Sequence, residues 1–346
     1  MKRRRWGIAN ATFAILWAAV LAPHGAGVEM APPEARPGAQ ASGVVETAQK
    51  QFHAGNYAEA IRTLQPAAAQ NSSNGEVYYW LGRSYYEIRD YDNAVLQFGR
   101  AATLDARNSD DHMWLGRAYG GKADRERSFF LARRVKKEFE QAVSLNPANI
   151  PARRDLEEYC LEAPWIVGGS KDEALDQVNA IAAMDPVEGN LARGFYYWHG
   201  LKKPDVAEGE YRNALAAKPG RVEPYFEAGD FFRHRGNVAE LEAAIEGAAR
   251  VSANDARLPF YRGVAGVLAN TNLERAEQEL KSYLASTPDR SDWPSHAAAR
   301  EWLGRLYEAQ GKRAEAAEQY RAALQLDPQR REARARLERL VGKTSP

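Results

Sequence analysis

The sequence predicts an all-α fold, a right-handed superhelical solenoid of about eight stacked helix pairs with a C-terminal capping helix. Three observations predict it. One phrase recurs at a fixed spacing, alanine is abundant while long β-branched runs are absent, and small, aromatic and proline residues return at set places. Trp80-Leu81-Gly82-Arg83 returns 34 residues later as Trp114-Leu115-Gly116-Arg117, and Tyr85 returns as Tyr119. The phrase appears again as Trp302-Leu303-Gly304-Arg305, followed by Tyr307.

Each unit reads as two antiparallel helices. Gly at the eighth position (Gly82, Gly116, Gly229, Gly304) brings the first helix close to the second. Ala at the twentieth (Ala60, Ala94, Ala207, Ala316) does the same from the second helix. Bulky residues near the twenty-fourth, such as Leu64, Phe98, Phe139, Tyr211, Ile245, Leu280 and Tyr320, fill the space between layers. Pro at the thirty-second (Pro147, Pro186, Pro219, Pro288, Pro328) ends the second helix. These anchors place units at 41–74, 75–108, 109–149, 150–187, 188–221, 222–255, 256–290 and 297–330, with a capping helix at 331–341. The phrases resemble the tetratricopeptide repeat family. That resemblance implies a protein-binding scaffold, with roles such as envelope-complex assembly, secretion or cytochrome maturation.

Three units depart from the period, the seventh being weak, with a one-residue ambiguity and a Pro-containing loop (Ser291 to His296) after it. The third carries about seven extra residues between Tyr119 and Phe139, expected as a longer turn and a longer second helix. Its basic run, Arg133, Arg134, Lys136 and Lys137, is expected to be solvated while the aromatics of that helix pack inward, with a membrane-surface helix as the alternative. The fourth carries about five extra, and they include Ile166-Val167-Gly168-Gly169. That tetrapeptide resembles the processed N-terminus of chymotrypsin-like proteases, but no β-barrel pattern or triad context accompanies it. It reads instead as a Gly-Gly bend between two helices, with Ser170 or Asp172 capping the second. The stretch from Asp155 to Ala174 also resembles an elongated unit of some bacterial exported tetratricopeptide proteins.

Charge is nearly balanced, with 47 basic and 46 acidic residues, which argues against a nucleic-acid binder. Lys2, Arg3, Arg4 and Arg5 precede an apolar stretch of 15 residues, Ile8 to Ala22. It is short of the roughly 20 residues a membrane span needs. Residues 1–27 therefore read as a signal peptide, and an uncleaved inner-membrane anchor is the alternative. Residues 28–43 read as a disordered Pro/Ala-rich leader, 44–341 as the solenoid and 342–346 as a flexible tail. The expected location is the periplasm. Cys160 is the single cysteine and reads as a buried small hydrophobe. The six histidines show no metal-ligand spacing, and no phosphate-binding loop is present, so neither metal nor cofactor is expected.

In such a fold the concave face is lined by first-helix positions two, five, nine and twelve. Read along the chain, these give a candidate peptide-binding groove of Tyr79, Arg83, Tyr86, Met113, Arg117, Arg154 and Tyr196, with Glu158 and His199 beside it. Aromatic and arginine side chains suit a peptide with acidic or C-terminal carboxylate groups. A plain structural role for these arginines, bridging neighbouring helices, is the other reading. The expected function is a non-catalytic scaffold for a protein or peptide partner, with membrane contact through a retained N-terminal segment if at all. Two alternatives stand beside it: an enzyme with its site in the inserted turns at 120–138 and 163–173, or a membrane-tethered assembly factor.

Overall fold

The computed structural model describes residues 43–70 and 73–342. The expected signal peptide, most of the leader and most of the tail lie outside the described residues. The rest is an all-α repeat solenoid. Its successive pairs are α1 (Gly43–His53) and α2 (Tyr57–Ala69), α3 (Gly75–Glu87) and α4 (Tyr91–Leu104), α5 (Ser109–Glu126) and α6 (Phe129–Leu145), and α7 (Ile150–Glu162) and α8 (Lys171–Met184). They continue with α9 (Pro186–Phe195) and α10 (Pro204–Ala216), α11 (Glu223–Arg235) and α12 (Val238–Val251), α13 (Leu258–Ala269) and α14 (Leu273–Ser286), and α15 (His296–Ala309) and α16 (Arg313–Leu326). A last helix, α17 (Arg331–Val341), lies on the final pair. Among the described residues no helix is long and apolar enough to cross a membrane.

Helix starts are set by short polar residues that accept hydrogen bonds from the first turn, as Asn74, Asp90, Asn108, Ser128 and Asn149 do. Packing within a pair follows the small-to-large rule. A Cβ on Gly116 would lie 2.5 Å from the Phe139 ring, and one on Gly82 would lie 2.8 Å from Phe98. Gly229 is different, because its nearest neighbours would be 3.6 Å away.

The insertions resolve differently from expectation in the third pair. The turn does not lengthen. Instead α5 runs on through Gly120 and Gly121 to Glu126, and α6 is long as well. Only Arg127, in the left-handed conformation, and Ser128 join them. Extending two antiparallel helices together keeps every added backbone group hydrogen-bonded, which a long loop cannot do. In α6, Val135 and Phe139 are buried, but Phe129 and Phe130 face solvent, against the expected inward packing of the aromatics. In the fourth pair Trp165–Val167 form one turn of 3-10 helix, Gly168 (φ +103°) reverses the chain, and Ser170 caps α8 by accepting from Glu173 N.

The stack also closes on itself. The connection between α14 and α15 reaches back to the first two pairs. Ser291 donates its backbone N–H and its hydroxyl to the Glu87 carboxylate (2.7 and 3.0 Å), and the Tyr57 hydroxyl donates to Asp289 O (3.3 Å). Pro288 fills the space over Gly55, whose φ of +78° suits glycine.

Candidate functional site

Closure of the stack encloses a concave cavity of about 1280 Å³. Its walls come from the ends of α3, α5 and α7, the starts of α6 and α13, the length of α11 and the 289–295 connection. In α11 the positional rule applies as expected: Glu223, Phe226, Asp230 and Arg233, at positions two, five, nine and twelve, all line the cavity. These residues were readable from the period, yet none belongs to the candidate set drawn from the earlier units. The α14–α15 connection contributes Arg290 and Trp293 and was not readable at all, since it lies off the period.

Part of the wall is an internally paired set of charges. Arg257 pairs with Asp255 at 2.8 Å and Glu223 at 3.3 Å and stacks 4.3 Å from the Phe226 ring centre. Arg290 pairs with Asp292 at 2.9 Å and lies 4.7 Å from the Trp293 ring centre. Arg233 pairs with Asp230 at 2.8 Å. Three exposed wall arginines are different: Arg89, Arg127 and Arg331 make no ion pair among the described residues, and the first two are left-handed in the turn between the helices of their pair.

The seven groove candidates separate into three groups. Arg83 is half-buried beside the cavity on an aromatic shelf, 3.8 Å from the Trp114 ring centre and 5.0 Å from Phe52. Its Nη1 donates to the Tyr79 hydroxyl, its Nε is buried without a hydrogen-bond partner, and it makes no ion pair among the described residues. Tyr86 is buried but contributes to the cavity wall. Arg154 is engaged: it pairs with Glu157 at 3.0 Å and reaches across to Glu227 at 2.5 Å.

The remaining candidates are closed off, which corrects their expected role as groove ligands. Arg117 is 3% exposed and pairs with Asp155 at 2.8 Å, so it ties α5 to α7. Met113 is buried with its sulfur 3.4 Å from Arg117 Nη2. Tyr196 is buried because the frame of its unit begins one residue early. Gly194, and not Phe195, meets the Tyr211 ring, and a π-helical turn at Tyr196–Gly200 takes up the extra residue. Phe195 therefore holds the ninth position, half-buried, with the Arg154 guanidinium 5.4 Å from its ring centre.

Beside this, burial and the neighbouring charges of Glu162 and Asp155 push the Glu158 carboxyl well up. Glu162 lies 3.5 Å from His199 Nδ1. Among the described residues no group of three or more potential ligands is arranged to hold a metal ion. Cys160 is buried, and burial pushes its thiol up to about 12.

Comparison with known proteins gives three findings. The tetratricopeptide repeat family pattern matches residues 46–112 and 266–331. No curated protein matches the chain. Among solved structures, a chain of the APC/C hetero-tetramer Cut9-Hcn1 is 13% identical with a TM-score of 0.49, and the match covers 86% of this chain and 55% of that one. This chain thus spans just over half the length of that protein. A tetratricopeptide repeat protein from Parabacteroides merdae is 17% identical (TM-score 0.46; 77% of this chain, 98% of that one). PilW, a type IV pilus biogenesis factor, is 18% identical (0.43; 66% and 97%). At these scores no residue role passes from those structures to this chain.

Proposed function

From the premise that this chain belongs to the tetratricopeptide repeat family, whose repeats generally mediate protein–protein interaction, we propose that it is a non-catalytic scaffold of the bacterial cell envelope. It holds a segment of a partner protein in its concave cavity. The observation that carries this reading is the cavity itself. Its volume of about 1280 Å³ exceeds the roughly 300–1,000 Å³ usual for small-molecule sites and suits a peptide. The partner segment is acidic or carries a free carboxylate. Arg89, Arg127 and Arg331 stand on the wall and Arg83 beside it, each without an ion pair among the described residues, whereas the wall acids Glu223, Glu227, Asp230 and Asp292 already have arginine partners. The envelope location rests on the basic and then apolar N-terminal sequence. An uncleaved segment would keep the scaffold at the inner membrane.

The test is crosslinking in the native cell followed by purification through a C-terminal tag. We expect a few stoichiometric partners, reduced about tenfold in an Arg83→Glu/Arg89→Glu variant. Undiminished capture by that variant, with an unchanged melting curve, removes the carboxylate-binding groove.

A further inference from the structure

We propose that the tip formed by the inserted turns of the third and fourth helix pairs is a docking surface for an anionic lipid bilayer. Four large apolar side chains are exposed there: Trp165 (83%), Phe130 (66%), Phe129 (61%) and Ile166 (52%). The solenoid core does not use them. A cluster of this kind, drawn from two turns 35 residues apart in sequence, marks an interaction site.

The two turns are braced together. The Tyr159 hydroxyl lies 2.7 Å from Ala132 O and 2.8 Å from Val167 O, donating between them. Arg133 donates to Ile166 O (3.2 Å) and Lys136 to Gly168 O (2.9 Å). Val167 is buried, so the single 3-10 turn that anchors it turns Trp165 and Ile166 outward. The apolar tip is thus presented by a fixed backbone, and little ordering entropy is lost on docking.

The helix beneath carries the matching charge. Phe129, Arg133 and Lys137 follow at four-residue steps, with Phe130 and Arg134 alongside, all on the face of α6 opposite buried Val135 and Phe139. Arg127, Arg133, Arg134 and Lys137 are exposed and make no ion pair among the described residues. The Arg134 guanidinium lies 5.4 Å from the Phe130 ring centre. Tryptophan and phenylalanine ringed by unpaired arginine and lysine is the composition that partitions into the headgroup region of anionic membranes. Phe130, Trp165 and Ile166 lie outside the cavity, whose wall takes Arg127 and Phe129 from the edge of the tip. Contact with lipid here is separate from any contact made by the N-terminal segment.

The test uses the full chain with Trp165→Cys, labelled with an environment-sensitive fluorophore. Cys160 is buried with its thiol pushed up to about 12, so labelling goes to position 165. Phosphatidylcholine vesicles with and without phosphatidylglycerol are the probes. We expect a blue shift with the anionic vesicles, about tenfold weaker in an Arg133→Glu/Arg134→Glu background and weakened at about 1 M salt, where screening shortens to about 3 Å. A label that stays unshifted while the protein floats with the vesicles assigns binding to the N-terminus and overturns the proposal. So does protein that does not bind vesicles, or a label that shifts only when a cell extract is added, which would assign the tip to a protein partner.

Discussion

Arg83, Arg117 and Arg305 occupy the same place in three units, and each has a different environment. Arg117 is buried against Asp155, Arg305 pairs with Glu301 one turn back at 2.8 Å and stacks on Trp302, and Arg83 rests on aromatic rings without an ion pair among the described residues. Arg117→Ala strands a buried carboxylate and should cost about 3–5 kcal/mol in urea unfolding. Arg83→Ala should cost less than Arg117→Ala, because Glu87, the carboxylate nearest its charge, keeps its two hydrogen bonds from Ser291. Equal losses would mean that the buried pair is not the support it looks to be. The glycines divide in the same way. Gly116→Ala collides with the Phe139 ring and should destabilise by about 1–3 kcal/mol. Gly229→Ala meets only ordinary contact at 3.6 Å and should stabilise by about 0.5–1 kcal/mol through helix propensity. Paired melting curves decide between these outcomes.

At the scale of the element, α7 concentrates the acids. Arg154 lies between Glu157 and Glu227, so one positive charge serves two carboxylates. Burial first, with Glu227 nearby, pushes Glu157 up to about 8, and one of its oxygens has no hydrogen-bond partner. The folded state therefore holds this proton more tightly than the unfolded chain does. Its stabilising effect is complete below the ordinary glutamate range, near pH 4.5, and is lost as pH rises toward 8. Stability should fall across that window, and Glu157→Gln should flatten the fall. A wild-type slope that survives the substitution would place the responsible group elsewhere. Opposing this below about pH 6.5, His53 and His234 are held neutral, chiefly by burial, and lose stability as they are forced to protonate.

Across the whole molecule, the contact between the 288–292 segment and the first two pairs converts an open stack into a closed one. Few groups make this contact, so it is the part most easily undone. Glu87→Ala removes both acceptors of Ser291 and leaves the helix pairs intact. The variant should show a larger radius of gyration by X-ray scattering and faster amide exchange in α1 and α2, with nearly unchanged helicity. An unchanged radius would show that Pro288 packing on Gly55 is enough to hold the ring.

The helices, their pairing and the meeting of Gly with a ring across the second, third and last pairs were legible in the sequence, because each depends on contacts repeated at a fixed spacing. The Gly-Gly bend before α8, capped by Ser170, was legible for the same local reason. The groove was legible only in part. The positional rule finds the cavity wall in α11, but it assigns Tyr196 to the groove because one inserted residue shifts the frame, and it cannot tell free Arg83 from buried Arg117. Whether a position is open depends on the partner that another unit supplies, the acid Asp155 for Arg117 and the rings of Trp114 and Phe52 for Arg83. Closure of the stack, the cavity it encloses and the joining of two inserted turns into one exposed tip were decided by tertiary structure. They pair residues 32 to more than 200 positions apart, and no local period carries information across that distance.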